Sequence, residues 1–179
     1  MSEELGQIVI GEEEIKKRIK ELSEQISKDY KDKDLMLVGI LRGAIIFLAD
    51  LSREIKAPVE IDFMAVSSYG SSTKTSGVVR ILKDLDEDIK GRDVLIVEDI
   101  VDTGLTLKYL IKNLKSRKPA SLKVCALLRK KIEQQMSIDI DYCGFEVPNK
   151  FLVGYGLDWD EKYRNLPYIC ALKSGSRNS

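Results

Sequence analysis

The stretch Val94-Leu95-Ile96-Val97-Glu98-Asp99-Ile100-Val101-Asp102-Thr103-Gly104-Leu105-Thr106 runs from a block of apolar residues into three carboxylates, two hydroxyls and a glycine. Val94–Val97 carries no polar residue and reads as a buried strand; Leu105–Lys115 reads as the helix after it. A helix starting at this point presents unpaired N–H groups and the positive end of its dipole, which suits a phosphate. Thr103 and Thr106 add hydroxyl donors, and Gly104 lets the backbone approach phosphate oxygens closely. Two adjacent carboxylates beside a phosphate repel it unless they hold a cation or accept from sugar hydroxyls. Mg²⁺ together with a ribose diol meets both demands, so the segment points to a phosphorylated sugar. Taken singly, each residue has a blander reading: Asp102 or Thr103 caps the helix, and Glu98 and Asp99 are solvated. The whole string is harder to explain that way. It is neither a Walker loop nor a GxGxxG fingerprint.

Composition narrows the chemistry. The chain has 179 residues, 29 basic and 29 acidic side chains, and no histidine. Histidine-based triads, histidine metal sites and imidazole proton shuttles are therefore excluded, and acid/base work falls to carboxylates, lysines, tyrosines or cysteines. The net charge of +0 counts against a nucleic-acid partner. Apolar stretches such as Leu35–Leu41 and Ala44–Ala49 are too short to span a membrane, and no signal peptide is read at the start. Cys125, Cys143 and Cys170 are odd in number and widely spaced, which fits neither a disulfide framework nor zinc and leads to the expectation of a cytoplasmic protein.

The elements that must position these residues follow from periodicity. Gly11 serves as an N-cap, Glu12 to Glu14 favour the positive helix end, and Ile15, Ile19, Leu22 and Ile26 recur at helical spacing. Leu35–Ile40 reads as a strand, Leu41-Arg42-Gly43 as a turn and Ala44–Ile55 as a buried helix. Val59–Val66 is a strand. Ser67 to Gly77 is a long loop of small and polar residues, either a binding lid or a disordered surface tip, and Val78–Leu82 is the strand after it. Leu122–Leu128 is a strand that follows Pro119. Tyr142–Phe145, Phe151–Gly154 and Tyr168–Leu172 are further short strands, and Ser174–Ser179 is a polar tail expected to fray. Repetition of strand, turn and helix predicts an α/β fold with a parallel sheet. The length fits one domain.

The Val94–Thr106 string resembles the phosphoribosyl pyrophosphate motif of type I phosphoribosyltransferases. From about Ile8 to Leu172 the chain resembles the bacterial hypoxanthine-guanine phosphoribosyltransferases. The supporting strings are Val38-Gly39-Ile40-Leu41-Arg42-Gly43-Ala44, Ile61-Asp62-Phe63-Met64 with Ser67-Ser68-Tyr69-Gly70, and Val153-Gly154-Tyr155-Gly156-Leu157-Asp158 with Glu161-Lys162-Tyr163-Arg164-Asn165-Leu166-Pro167. The resemblance implies the type I phosphoribosyltransferase fold: a central, mainly parallel sheet flanked by helices, a small hood and a mobile lid loop. It implies a single domain over residues 1–179, with a core at about 30–145 and a hood from the N- and C-terminal segments.

It also implies the activity, a purine-salvage transfer of 5-phosphoribosyl from phosphoribosyl pyrophosphate to N9 of hypoxanthine or guanine, giving IMP or GMP and pyrophosphate. Residue by residue, Glu98 and Asp99 match the acids that handle the ribose hydroxyls and one Mg²⁺. Asp102 matches the acid near purine N7, the general base. Thr103, Gly104, Leu105 and Thr106 match the 5′-phosphate loop. Leu41-Arg42-Gly43 matches the pyrophosphate loop, which in the family holds a cis peptide before the basic residue. Asp158 matches an acid at the purine site near the second Mg²⁺, and Arg164 a pyrophosphate-binding arginine. Phe151 matches the aromatic that stacks on the purine, with the Leu152 backbone reading its edge and Trp159 packing nearby. Ser68 and Tyr69 match the start of the lid. Without the resemblance, Asp158 and Arg164 read as a surface pair and Phe151 as a core aromatic.

One departure stands out. After the Leu122–Leu128 strand the family usually has Asp-Lys-Pro, whose lysine donates to purine O6. Here the order is Arg129-Lys130-Lys131-Ile132, so Lys130 holds the matching place and Lys131 competes with it. Two alternatives stay open: a type I transferase for another base such as xanthine or a pyrimidine, and a regulator that keeps the fold but binds RNA or DNA. Relatives of this kind are dimers or tetramers, so a homodimer or homotetramer is expected.

Overall fold

The computed structural model describes residues 4–69, 78–132 and 137–173. Most of the anticipated lid loop (residues 70–77) and the polar tail Ser174–Ser179 lie outside the described residues. The apolar runs form strands and the helical periodicities form helices. The order is β1 (Leu5–Ile10), α1 (Glu12–Asp29), β2 (Leu35–Leu41), α2 (Ile45–Glu54), β3 (Val59–Tyr69), β4 (Val78–Lys83), β5 (Asp93–Val101), α3 (Leu105–Ser116), β6 (Ser121–Lys130), β7 (Tyr142–Val147), β8 (Leu152–Val153) and β9 (Ile169–Leu172).

The six-stranded sheet has the order β4-β3-β2-β5-β6-β7. Every pairing in it is parallel except β3 with β4, which is the mainly parallel α/β architecture expected. Its two faces sort the strand residues by parity, because successive side chains on a strand point to opposite sides. Leu35, Leu37, Leu95, Val97, Cys125 and Leu127 pack with α1 and α2. Met36, Val38, Val94, Ile96, Val124 and Ala126 pack with Leu107, Leu110 and Leu114 of α3. Strands buried on both sides have no reason to alternate in polarity, and this is why β2, β5 and β6 read as near-continuous apolar runs. A second, three-stranded sheet has the order β1-β9-β8 and joins the two ends of the chain. No helix among the described residues is long and apolar enough to cross a membrane.

Two expectations are corrected, and one strand was not anticipated. Leu5–Ile10 is a strand that periodicity did not reveal; its pairing with β9 is interrupted by irregular register, so its alternation is poor. Ser67, Ser68 and Tyr69 are not loop but the end of β3, paired with Arg80, Val79 and Val78. Cross-strand hydrogen bonding there outweighs the low strand preference of serine. Strand β5 does not stop at Val97 but runs through Val101, so Glu98 and Asp99 lie inside it.

Candidate active site

Sequence order reverses in the sheet between β2 and β5, and in open α/β sheets ligands bind beyond the carboxyl ends of strands at such a point. The end of β2 is Leu41-Arg42-Gly43, and the Leu41–Arg42 peptide is cis. Helix α2 starts directly afterwards, with the Ala44 N–H donating to Ile40 O at 3.2 Å and the Ile45 N–H donating to Arg42 O at 3.2 Å. Gly43 is crowded. A Cβ at this position would stand 1.6 Å from Oδ2 of Asp99, and a Cβ on Gly156 would stand 2.0 Å from the Gly43 carbonyl oxygen. The ends of β2 and β5 and the turn at Gly156 therefore meet with no room for a side chain on either glycine.

Beyond Val97 the parity of β5 inverts: Ile100 packs on the α1/α2 side and Val101 on the α3 side. The acids sit where the phase changes. Asp99 lies against Gly43, and Glu98 lines a cleft of about 110 Å³ with Asp102, Thr103, Gly104, Leu105 and Thr106. Among the described residues the buried acids are Asp62 and Glu98, and they differ instructively. Burial works against the charge on Asp62, but N–H donation from Phe63 and Asp86 and the nearby Lys83 ammonium outweigh it and hold the carboxyl below its usual value. Burial and then the charge of Asp99 push the Glu98 carboxyl well above its usual value. Burial also pushes Asp99 up to about 6, against the pull of the Ile100 N–H and the Arg164 charge. Glu98 and Asp99 thus form an acid pair short of positive charge.

The loop Asp102 to Gly104 leads into the start of α3. Gly104 is the N-cap residue in the left-handed region (φ 86), with no side-chain cap bond, and the first turn of α3 holds no acid. Helix α1 is the internal contrast: Glu12, Glu13 and Glu14 fill its first turn, and Glu14 Oε2 accepts the Gly11 N–H at 2.9 Å. The first turn of α1 thus carries its own carboxylates, whereas that of α3 has none and its Leu105 N–H reaches only Thr103 Oγ1 at 3.4 Å.

Register sets the next contact. Val101 is paired with Arg129, so Asp102 and Lys130 follow side by side, and Lys130 Nζ donates to Asp102 Oδ2 at 2.8 Å. Lys131, one step on, reaches the other way to Glu146 at 3.1 Å. The two lysines thus have different partners, Asp102 for Lys130 and Glu146 for Lys131.

The residues on either side of β8 hold the remaining candidates. Phe151 and Trp159 meet edge to face, with ring centroids 5.1 Å apart at 83°. Leu152 is on β8, the edge strand of the small sheet, paired with Ala171 on one side, which leaves its outer edge unused by that sheet. Arg164 Nη2 lies 3.0 Å from Asp158 Oδ1, and its Nη1 donates to the Gly156 carbonyl at 2.8 Å. Ser68 and Tyr69 lie at the end of β3 beside β4, adjoining the undescribed residues.

The structure therefore brings together the ends of β2 and β5, the loop to Thr106, Lys130 and the Asp158–Arg164 pair. Two residues escaped the sequence reading as participants. Gly156 is the close-approach partner of Gly43, and its signal was the Gly154-Tyr155-Gly156 spacing. Glu161 joins Arg42 and Arg164; it opens the string Glu161 to Pro167 that carries the resemblance, but no role was read for it there.

Oxygen donors of the Glu98, Asp99 and Asp158 type suit Mg²⁺. Among the described residues no cluster of three or more potential ligands forms a ready cage. The raised Glu98 and Asp99 carboxyls are groups beside which added positive charge is favourable.

A family model for the phosphoribosyl transferase domain matches residues 9–160. The hypoxanthine-guanine phosphoribosyltransferase of Mycobacterium tuberculosis is 55% identical over 175 residues, covering 94% of this chain and 87% of its own. That of Bacillus subtilis is 50% identical over 173 residues, covering 97% and 96%. The crystal structure of a hypoxanthine phosphoribosyltransferase from Staphylococcus aureus superposes with a TM-score of 0.93 at 45% identity, covering 98% of this chain and 96% of that one.

Proposed function

The chain belongs to the phosphoribosyl transferase family, and on that premise we propose that it is a purine-salvage enzyme. It transfers 5-phosphoribosyl from phosphoribosyl pyrophosphate to N9 of hypoxanthine or guanine, giving IMP or GMP and pyrophosphate. The observation that carries the choice of base is the Asp102–Lys130 pair, a carboxylate and an ammonium 2.8 Å apart at the mouth of the phosphate cleft. A 6-oxopurine protonated at N7 offers the complementary pattern on one edge, an O6 acceptor beside an N7–H donor. Lys130 donates to O6 and Asp102 accepts the proton the base must lose as its N9 attacks. Adenine carries an amino donor in place of O6 and faces the lysine with like polarity, a mismatch that buried polar sites reject strongly.

The remaining residues divide the work. The N–H groups and hydroxyls of Thr103, Gly104, Leu105 and Thr106 bind the 5′-phosphate. Glu98 and Asp99 accept from the ribose hydroxyls, and their negative charge favours the oxocarbenium character that develops as the C1–O bond to pyrophosphate breaks and the C1–N9 bond forms. Leu41, Arg42 and Gly43 with Arg164 bind the pyrophosphate. Phe151 stacks on the purine, the Leu152 backbone reads its edge, and Asp158 orients Arg164. Glu98 and Asp99 would hold one Mg²⁺ and Asp158 would stand near a second; such ions would supply neutralisation of the leaving pyrophosphate. Ser68 and Tyr69 begin a lid that keeps water from the activated donor.

The small β1-β9-β8 sheet serves as the hood over this site, in one domain with the larger sheet. The setting is a cytoplasmic homodimer or homotetramer. The free thiols of Cys125, Cys143 and Cys170 support a reducing compartment, and the exposed apolar Ile45, Ile46, Ile61 and Leu82 support self-association.

Steady-state rates with hypoxanthine, guanine, xanthine, adenine and uracil, with the donor and Mg²⁺ supplied, test the reading. Hypoxanthine and guanine are expected to be the best substrates. Adenine or uracil as the best substrate overturns the roles of Lys130 and Phe151.

A further inference from the structure

We propose that Glu161 is a built-in stand-in for pyrophosphate, a carboxylate that occupies the Arg42 and Arg164 guanidinium groups in the free protein and competes with the ligand for them. The inference rests on the reading of those two arginines as pyrophosphate-binding groups and adds a residue that sets how tightly they hold it.

One oxygen makes both contacts. Oε2 of Glu161 lies 2.6 Å from Arg42 Nη1 and 3.4 Å from Arg164 Nη2. Surface ion pairs are commonly formed between neighbours on one element, as in the pairs of Lys16 with Glu12 and Glu13 on α1. Here a single carboxylate bridges two cations that are far apart in sequence and that converge on one proposed anion.

The contact is made to be displaced. Arg164 is held independently by the Gly156 carbonyl and by Asp158, and Glu161 supplies its longest contact. The Arg42 and Glu161 side chains are 70% and 62% exposed, so an incoming anion can reach them from solvent. The Glu161 backbone is fixed separately, because its N–H donates to Asp158 Oδ2 at 3.0 Å. Glu161 (φ 60) is one of three left-handed non-glycine residues in this loop, with Asp160 (φ 51) and Tyr163 (φ 74). This conformation is uncommon for residues with a side chain and characteristic of sites where the surroundings dictate the backbone. The loop is bent so that Glu161 faces the two arginines.

Exposed pairs are weak. A multiply charged pyrophosphate displaces such a carboxylate readily, and its return assists product exit. Removing the carboxylate should tighten pyrophosphate binding by about two- to fivefold, the range that weak exposed pairs allow.

The test uses the full chain, Mg²⁺ and inorganic pyrophosphate as the probe. Calorimetry and stopped-flow dissociation are compared for the wild type, Glu161→Gln and Glu161→Gly; the glycine variant removes the carboxylate while suiting the left-handed backbone. The expected result is a two- to fivefold lower Kd in both variants, a matching fall in dissociation rate and in KM for the donor, and a difference that shrinks at high salt. A merely structural role predicts the reverse, weaker binding with a lowered Tm. Unchanged or weaker binding in both variants overturns the proposal. Arg42→Ala and Arg164→Ala separate the two levels. If the wild type binds pyrophosphate and these variants weaken it, the arginine reading stands whatever Glu161 does. If they leave affinity unaltered, that reading fails, and the stand-in fails with it.

Discussion

Replacing Gly43 by alanine perturbs the site at its tightest point without touching a charged group. The added Cβ would stand 1.6 Å from Asp99 Oδ2 and 2.6 Å from its carboxyl carbon, whereas ordinary contact begins at 3.4 Å. The shortfall of 3.4 − 1.6 Å means that the carboxylate or the β2–α2 turn must move by about 1.8 Å. The turn is not free to retreat, since the Gly43 carbonyl is packed against Gly156, where a Cβ would come within 2.0 Å. The movement therefore falls largely on Asp99, one of the two acids assigned to the ribose and Mg²⁺. A misplacement of about 1 Å in a reacting array can cost on the order of 100-fold in rate. Gly43→Ala is thus expected to lose at least about 100-fold in kcat, with overpacking costing roughly 1–3 kcal/mol of stability. Initial rates with hypoxanthine, donor and Mg²⁺, with a thermal melt on the same preparation, measure both. A folded variant within threefold of wild-type kcat would refute the reasoning, because it would mean that Asp99 can move this far without consequence.

Asp102→Asn removes the base and keeps its shape, so kcat should fall by about 100-fold or more while the Kd of the donor changes little; near wild-type turnover counts against the base role. Lys130→Met should raise KM for hypoxanthine about tenfold or more and narrow its preference over adenine, read from kcat/KM for the two bases; an unaltered ratio removes Lys130 from specificity. For Asp62 the sign follows from a folded carboxyl held below its unfolded value. Its stabilisation is fully present above the unfolded carboxylate range, near pH 4, and is lost as pH falls through the folded value. The stability gap between wild type and Asp62→Asn, from urea titrations, should therefore be larger at pH 7 than at pH 3; an equal gap shows that Asp62 does not act through its charge. Excess chelator should abolish turnover while leaving the far-UV circular dichroism unchanged, and full activity under those conditions excludes a metal role for Glu98, Asp99 and Asp158.

The sequence alone determined the α/β class, because the two-sided burial of β2, β5 and β6 demands the uninterrupted apolar runs of Leu35–Ile40, Val94–Val97 and Leu122–Leu128. It also pointed to the segment from Glu98 to Thr106 as a candidate for phosphate-and-acid chemistry, because a strand end, a glycine and a helix start are all local features. The resemblance to a family supplied roles for Arg42, Lys130, Asp158 and Arg164 that their immediate neighbours in sequence do not reveal. Tertiary structure decided the rest. Which of Lys130 and Lys131 faces Asp102 depends on the β5–β6 register, a relation between distant segments. Where Glu98 and Asp99 point depends on a change of phase within β5 that strict alternation would not predict. The strand at Leu5–Ile10 exists because β9 is there to pair with it. The contact of Gly43 with Asp99 and Gly156, and the bridge from Glu161 to Arg42 and Arg164, join parts of the chain that only folding brings together. Periodicity and motif report which face of an element is apolar and what its ends can do. Distances between side chains on different elements are set by packing, and the positioning on which catalysis depends is of that second kind.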